Sequence, residues 1–225
     1  MSLEIDVTVN INNDFRNLIH NGNYEKIILN IMNSSKKLFP NTYKHIKNQS
    51  HGECDFIDEK TSKKYDAKLP FSNSDGILIG SDNFDFVKWL ELMHKRIEEC
   101  QKIYIDDNYS IEDSQLYRII ERIIKKVELE EQIILFFPYP IILDGANMFF
   151  SQFKKSILSS IYDALENNNL IKGRSIYTIF LGIDGEIVIR CLNNRKYECI
   201  PNLELNKYID FVFKTIEVNN TNLEE

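Results

Sequence analysis

Glu53-Cys54-Asp55-Phe56-Ile57-Asp58, then Glu59-Lys60-Thr61-Ser62, then Lys63-Lys64 and Tyr65-Asp66-Ala67-Lys68-Leu69, is the stretch on which the reading of this chain turns. Two strand-like runs flank four turn residues that carry no apolar side chain. Side chains alternate between the faces of a strand, so Glu53, Asp55 and Ile57 share one side, as do Asp66 and Lys68. A tight antiparallel hairpin pairs Asp58 with Lys63 and sets Asp55 opposite Asp66, with Cβ atoms roughly 5 Å apart. Like charges placed so destabilise a ladder. A divalent cation between them removes the conflict, and hard oxygen ligands suit Mg²⁺ or Mn²⁺. Lys68 then points at the same spot, where an ammonium can orient a water or neutralise developing phosphate charge. The alternative is a solvated hairpin whose charged side chains merely face water.

Gly52-Glu53-Cys54-Asp55-Phe56-Ile57, followed after the turn by Asp66-Ala67-Lys68, resembles the paired motifs of the PD-(D/E)xK nuclease superfamily. The resemblance covers roughly residues 24–71. It implies a restriction-endonuclease-like α/β fold, a mixed sheet flanked by helices, and phosphodiester hydrolysis. By it, Asp55 matches the first metal-binding aspartate, Asp66 the second acid and Lys68 the catalytic lysine. The carbonyl of Ala67 is then a further ligand to Mg²⁺ or Mn²⁺. Glu25, on the preceding helix, matches the acid some members carry there, and Glu53 is placed to tune the site or hold a second ion. The resemblance also requires a strand before the hairpin, within 42–50. Three positions differ from the usual pattern: Cys54 stands in place of Pro, Asp66 in place of the commoner Glu, and Pro70 follows Lys68 closely enough to end the strand.

The composition fits a folded domain. The chain has 225 residues, 43% of them apolar, with aromatics throughout. No apolar run approaches the ~20 residues of a membrane span. The N-terminus lacks a basic start followed by an apolar stretch, so a cytoplasmic protein without a signal peptide is expected. Cys54, Cys100, Cys191 and Cys199 form no C-x-x-C pair and read as small apolar residues. The net charge of −7 runs against a nucleic-acid partner, which wants local positive charge. Between Lys36 and Lys68, however, eight lysines outnumber Glu53, Asp55, Asp58, Glu59 and Asp66, so the neighbourhood of the motif is mildly basic. The chain has no phosphate-binding G-x-x-x-x-G-K-[ST] loop, no G-x-G-x-x-G, no G-x-S-x-G elbow and no H-E-x-x-H. A nucleotide-driven motor, a dinucleotide oxidoreductase, a serine hydrolase and a zinc protease are therefore disfavoured.

Outside the motif, alternation over 4–10 predicts a strand or extended arm, and a first helix is expected from Asp14. Ile27, Ile28, Ile31 and Leu38 predict a helix over 24–38. A brief strand is expected at 76–80. A helix is expected over about 84–101, with Phe86, Leu90, Met93, Ile97 and Cys100 inward and Trp89 and His94 off the stripe. Ser110-Ile111-Glu112-Asp113 resembles a capping box opening a helix to about Lys126. The apolar run Ile133–Phe137 predicts a strand buried on both faces, ended by Pro138-Tyr139-Pro140. A long helix over about 147–167 follows. Asp184-Gly185 then joins a hairpin of 176–181 and 187–192, and a last helix is expected over about 203–216. A soft break near 104–110 divides a motif-bearing half, 1–105, from a C-terminal α/β half, 106–225, within one continuous domain.

Two functions of different kinds follow. One is a metal-dependent nuclease acting on nucleic acid. The other is a non-catalytic binding protein: a degenerate nuclease-like fold, or an acidic inhibitor or immunity-type protein whose charge steers it to a basic protein partner.

Overall fold

The apolar run at 133–137 lies at the centre of the fold. It belongs to strand β5 (Gln132–Pro140), and Ile133, Ile134, Leu135 and Phe136 are wholly buried, as a strand covered on both faces requires. The chain is represented by a computed structural model. It describes residues 2–11, 18, 23–46, 54–72, 74–75, 85, 88–89, 91–93, 95–96, 99–100, 110–140, 157–181, 186–203, 205 and 209–218. For 2–11, 23, 139–140 and 209–218 only the chain path is described. The architecture is α/β, with a seven-stranded mixed, curled sheet flanked by helices.

The strands are β2 (Tyr43–His45), β3 (Phe56–Asp58), β4 (Lys64–Lys68), β5, β6 (Ile176–Leu181), β7 (Ile187–Cys191) and β8 (Lys196–Ile200), lying side by side in sequence order. β2, β3 and β4 form an antiparallel meander. β4, β5 and β6 run parallel, and β7 and β8 return antiparallel. A parallel β4–β5 pair needs a crossover. Residues 69–131 supply it, including helical residues between 88 and 100 and α2 (Gln115–Ile124).

The first described helix, α1 (Asn23–Ser34), buries Ile27, Ile28, Ile31 and Met32. It stops four residues short of the expected Leu38, and Glu198 of β8 shows why. Its carboxylate accepts the Ser35 hydroxyl at 2.6 Å and the backbone N–H groups of Lys36, Lys37 and Leu38 at 3.0–3.1 Å. These four donors draw residues 35–38 out of the helix and onto the sheet edge, and hold the Glu198 carboxyl below its usual range although burial works the other way.

The Ser110 capping box forms, but it opens a 3₁₀ turn at Ile111–Asp113, and Ser114 caps α2 by accepting the Tyr117 N–H at 3.1 Å. Trp89, expected off the stripe, is wholly buried beside Met93 and Cys100 and meets Phe71 edge-on at 5.4 Å. The two prolines do not end β5. Phe137 pairs with Phe180 and Pro140 with Leu181, so the strand passes through an irregularity where Pro138 has no N–H to give. α3 (Ile157–Asn167) forms the described part of the long helix and buries Ile161 and Leu165; the expected Phe150 and Phe153 lie outside the described residues.

The last expected helix is instead β9 (Ile209–Val218), which pairs antiparallel along its whole length with β1 (Ser2–Ile11) in a separate two-stranded sheet. Ile209, Phe211 and Phe213 alternate with Asp210, Val212 and Lys214, a period of two that only the pairing with β1 makes decisive. β8 is a further strand with no counterpart in the sequence reading. The expected first helix lies almost wholly outside the described residues, and the strand at 76–80 and His94 wholly so. No helix among the described residues is long and apolar enough to cross a membrane.

Candidate functional site

The hairpin forms in the expected register. Phe56 pairs with Tyr65 and Ile57 with Lys64, and the Asp58 N–H reaches the Lys63 carbonyl at 2.9 Å. A four-residue turn joins the strands, closed by the Ser62 N–H on the Asp58 carbonyl at 2.8 Å, with Ser62 in the left-handed region at φ 59°. The Asp58 side chain fixes the turn, accepting from the Asn41 amide at 2.8 Å and from the Lys60 and Thr61 N–H groups at 2.8 and 3.2 Å.

One step before β3 the ladder opens. Asp55 lies in a bend. Its N–H donates to the Tyr65 carbonyl at 3.0 Å and its carbonyl accepts from Ile46 at 2.9 Å, so the bend is tied to both neighbouring segments. Its carboxylate oxygen Oδ2 takes the Ala67 N–H at 2.7 Å. The side chain thus replaces a missing rung and places its charge beside the peptide joining Asp66 to Lys68. Strand alternation carries Tyr65 and Ala67 to one face, where Tyr65 packs with Phe39, Tyr43 and Tyr177. Asp66 and Lys68 occupy the other face, with Lys68 Nζ against Asp66 Oδ1.

Asp55 and Asp66 are each only 5% exposed. That removes the reading of a solvated hairpin. Burial is the largest influence on Asp66; Lys68 opposes it and Asp55 adds to it, and the carboxyl is pushed up from 3.8 to about 6. Near neutrality this acid therefore carries its charge at a cost.

Two side chains that the sequence reading did not single out, Glu131 and Tyr24, feel the charge of the pair, and a third, His45, meets Glu25. Glu131, just before β5, is itself buried, and its carboxyl is raised first by burial and then by Asp66, against the pull of Lys64. Tyr24, at the start of α1, stacks on Phe136 at 6.5 Å; burial, then the charges of Glu25, Asp55 and Asp66, push its hydroxyl well above the ordinary range. Its hydroxyl is thus held neutral. His45 of β2 meets Glu25 through Nε2 at 2.7 Å and Phe56 edge-on. Glu25, on α1, has its carboxylate engaged by His45. The signal for Glu131 was its place two residues before an apolar strand; for Tyr24 and His45 the sequence carried none beyond adjacency to Glu25 and to the hairpin.

Asp55, Asp66 and Lys68 are therefore brought together, and Ala67 lies between them with its N–H committed to Asp55. Glu53 lies outside the described residues. Among the described residues no group of three or more His, Cys, Asp or Glu side chains is arranged to hold a metal ion. The two acids fit a hard divalent cation in kind, since such an ion would displace the proton that burial and Asp55 retain on Asp66. No known protein family, curated protein or solved structure matches the chain.

Proposed function

We propose that the chain is a metal-dependent nuclease of the PD-(D/E)xK type, with Asp55 and Asp66 holding Mg²⁺ or Mn²⁺ and Lys68 serving the reacting phosphate. The observation that carries this reading is the buried acid pair with an amine on one of its members, at the point where β3 and β4 part. The strand β2 before the hairpin, and the parallel β5 beside β4, support the restriction-endonuclease-like arrangement.

When bound, the ion would polarise a phosphate and lower the pKa of a bound water. The chain's own groups prepare the site. The Ala67 N–H fixes one Asp55 oxygen. Asp66 exchanges a proton near pH 6. Lys68, with 39% of its side chain exposed, reaches solvent and can turn from Asp66 to a phosphate oxygen. The exposed Lys60, Lys63 and Lys64 on the hairpin offer positive charge to a nucleic-acid backbone.

Mg²⁺-dependent cleavage of DNA and RNA, compared between native protein and Asp66→Ala with circular dichroism to monitor the fold, tests this. Cleavage lost with the fold retained supports the reading; equal cleavage by both proteins removes it. The net charge of −7 favours the second reading, a non-catalytic binding protein, which predicts no cleavage by either.

A further inference from the structure

A cavity of about 340 Å³ opens where the chain leaves α2 and α3. Its lining includes Lys125, Lys126, Lys172 and Arg174 against one carboxylate, Glu128, with Leu129 at its rim, 54% exposed. Four cations around one concavity stand out in a chain whose net charge is −7.

Helix C-termini repel anions, and basic residues there usually answer the helix dipole. That accounts for Lys125, which pairs with Glu121 at 2.9 Å. Arg174 has already answered the carbonyls: its guanidinium donates to Ile124, Val127 and Glu128 at 2.8–2.9 Å and to Leu170 at 3.4 Å. The helix ends are thereby neutralised from below. Among the described residues, the side-chain ammonium groups of Lys126 and Lys172 have no hydrogen-bond or ion-pair partner.

Lys172 is also conformationally costly. Ile171 to Arg174 form a tight turn, the Arg174 N–H meeting the Ile171 carbonyl at 3.1 Å, with Lys172 at φ 48° and Gly173 at φ 78°. The first central position of such a turn prefers Asn, Asp or Gly. A lysine there is unfavourable for the backbone, and it lines the same cavity as Lys126.

We propose that this cavity binds the phosphate group of a nucleotide or nucleic-acid strand, with Lys126 and Lys172 as the anion-binding residues and Leu129 as an apolar surface for the attached sugar or base. The inference does not depend on the acid pair. Glu131, two residues beyond Leu129, feels the charge of Asp66, and Arg174 feels that of Glu131.

The test is binding in EDTA, where no divalent metal is available, using inorganic phosphate, deoxyadenylate and a short oligodeoxythymidylate as separate probes. Native protein and the double variant Lys126→Gln/Lys172→Asn are compared by calorimetry over a range of salt. Asn suits the left-handed position, so the double variant keeps the turn and its unfolding midpoint should not fall. The proposal expects affinity to drop at least about tenfold in the double variant. For the oligonucleotide, the slope of log affinity against log salt should become shallower by about 1.4, two lost contacts on a single strand. Binding of all three probes identifies a single phosphate as sufficient, and binding of the oligonucleotide alone identifies a strand; either outcome supports the site. No binding by native protein at millimolar probe, or equal binding by the double variant, overturns it and leaves the nuclease proposal standing or falling on its own assay.

Discussion

Replacing Asp66 by Asn should stabilise the metal-free protein at alkaline pH. In the folded chain the Asp66 carboxyl is raised from 3.8 to about 6 because burial and Asp55 outweigh Lys68. Folded protein therefore holds this proton more tightly than unfolded protein. Its stability contribution is complete below about pH 4 and is lost as pH rises through about 6. Above that range the ionised carboxylate costs the fold about 3 kcal/mol, at about 1.4 kcal/mol for each tenfold change in proton affinity. The side chain is 8% exposed, so solvent screening does little to reduce this. Asn keeps the shape and removes the titration. Urea unfolding of both proteins in EDTA, at about pH 4 and about pH 8, measures the effect as a difference of differences. The advantage of Asp66→Asn at the higher pH, less its value at the lower, should be about 2 kcal/mol, because at about pH 4 part of the full effect is already lost. A flat difference, or a native protein that gains over the variant as pH rises, would mean that the Lys68 pairing dominates and would refute the reasoning.

Two further effects follow from buried charge and from the turn. Arg96 and Asp75 form a bidentate pair at 2.6 and 2.8 Å with almost no exposure, so Arg96→Met leaves Asp75 uncompensated and should cost about 3–5 kcal/mol by urea unfolding. Asp58→Ala removes the acceptor for three donors of the hairpin turn and should cost about 1–3 kcal/mol. Burial works to raise the Asp58 carboxyl, but hydrogen bonds from Thr61, Asn41 and Lys60 hold it below 3.8, so its share of the stability is present above that pH and is lost as acid titrates it. The advantage of the native protein over Asp58→Ala should therefore shrink as pH falls below 3.8.

The hairpin was legible because its determinants are local. Four polar turn residues and two short runs fix the Asp58–Lys63 pairing, and from it the opposition of Asp55 and Asp66. The run at 133–137 was legible because only a strand covered on both faces tolerates such continuous apolar character. What escaped depends on distant partners. Residues 209–218 become a strand because β1, some two hundred residues earlier in the chain, supplies the ladder. Helix α1 ends at Ser34 because Glu198 of β8 collects the N–H groups that follow it. Trp89 is buried by what packs around it, which a single-helix stripe cannot register. The same holds at the candidate site, where Asp55, Asp66 and Lys68 announce themselves by spacing. Tyr24, His45 and Glu131 join them only through the folding of α1, β2 and β5 onto one another.

Calorimetric titration of Mn²⁺ into native protein and into Asp55→Ala tests the central claim most directly, since that claim is that the two buried acids form a seat for a divalent ion. The account predicts saturable binding by the native chain, accompanied by release of the Asp66 proton near pH 6, and loss of that binding in the variant. No binding at millimolar Mn²⁺, or equal binding by both proteins, would contradict it.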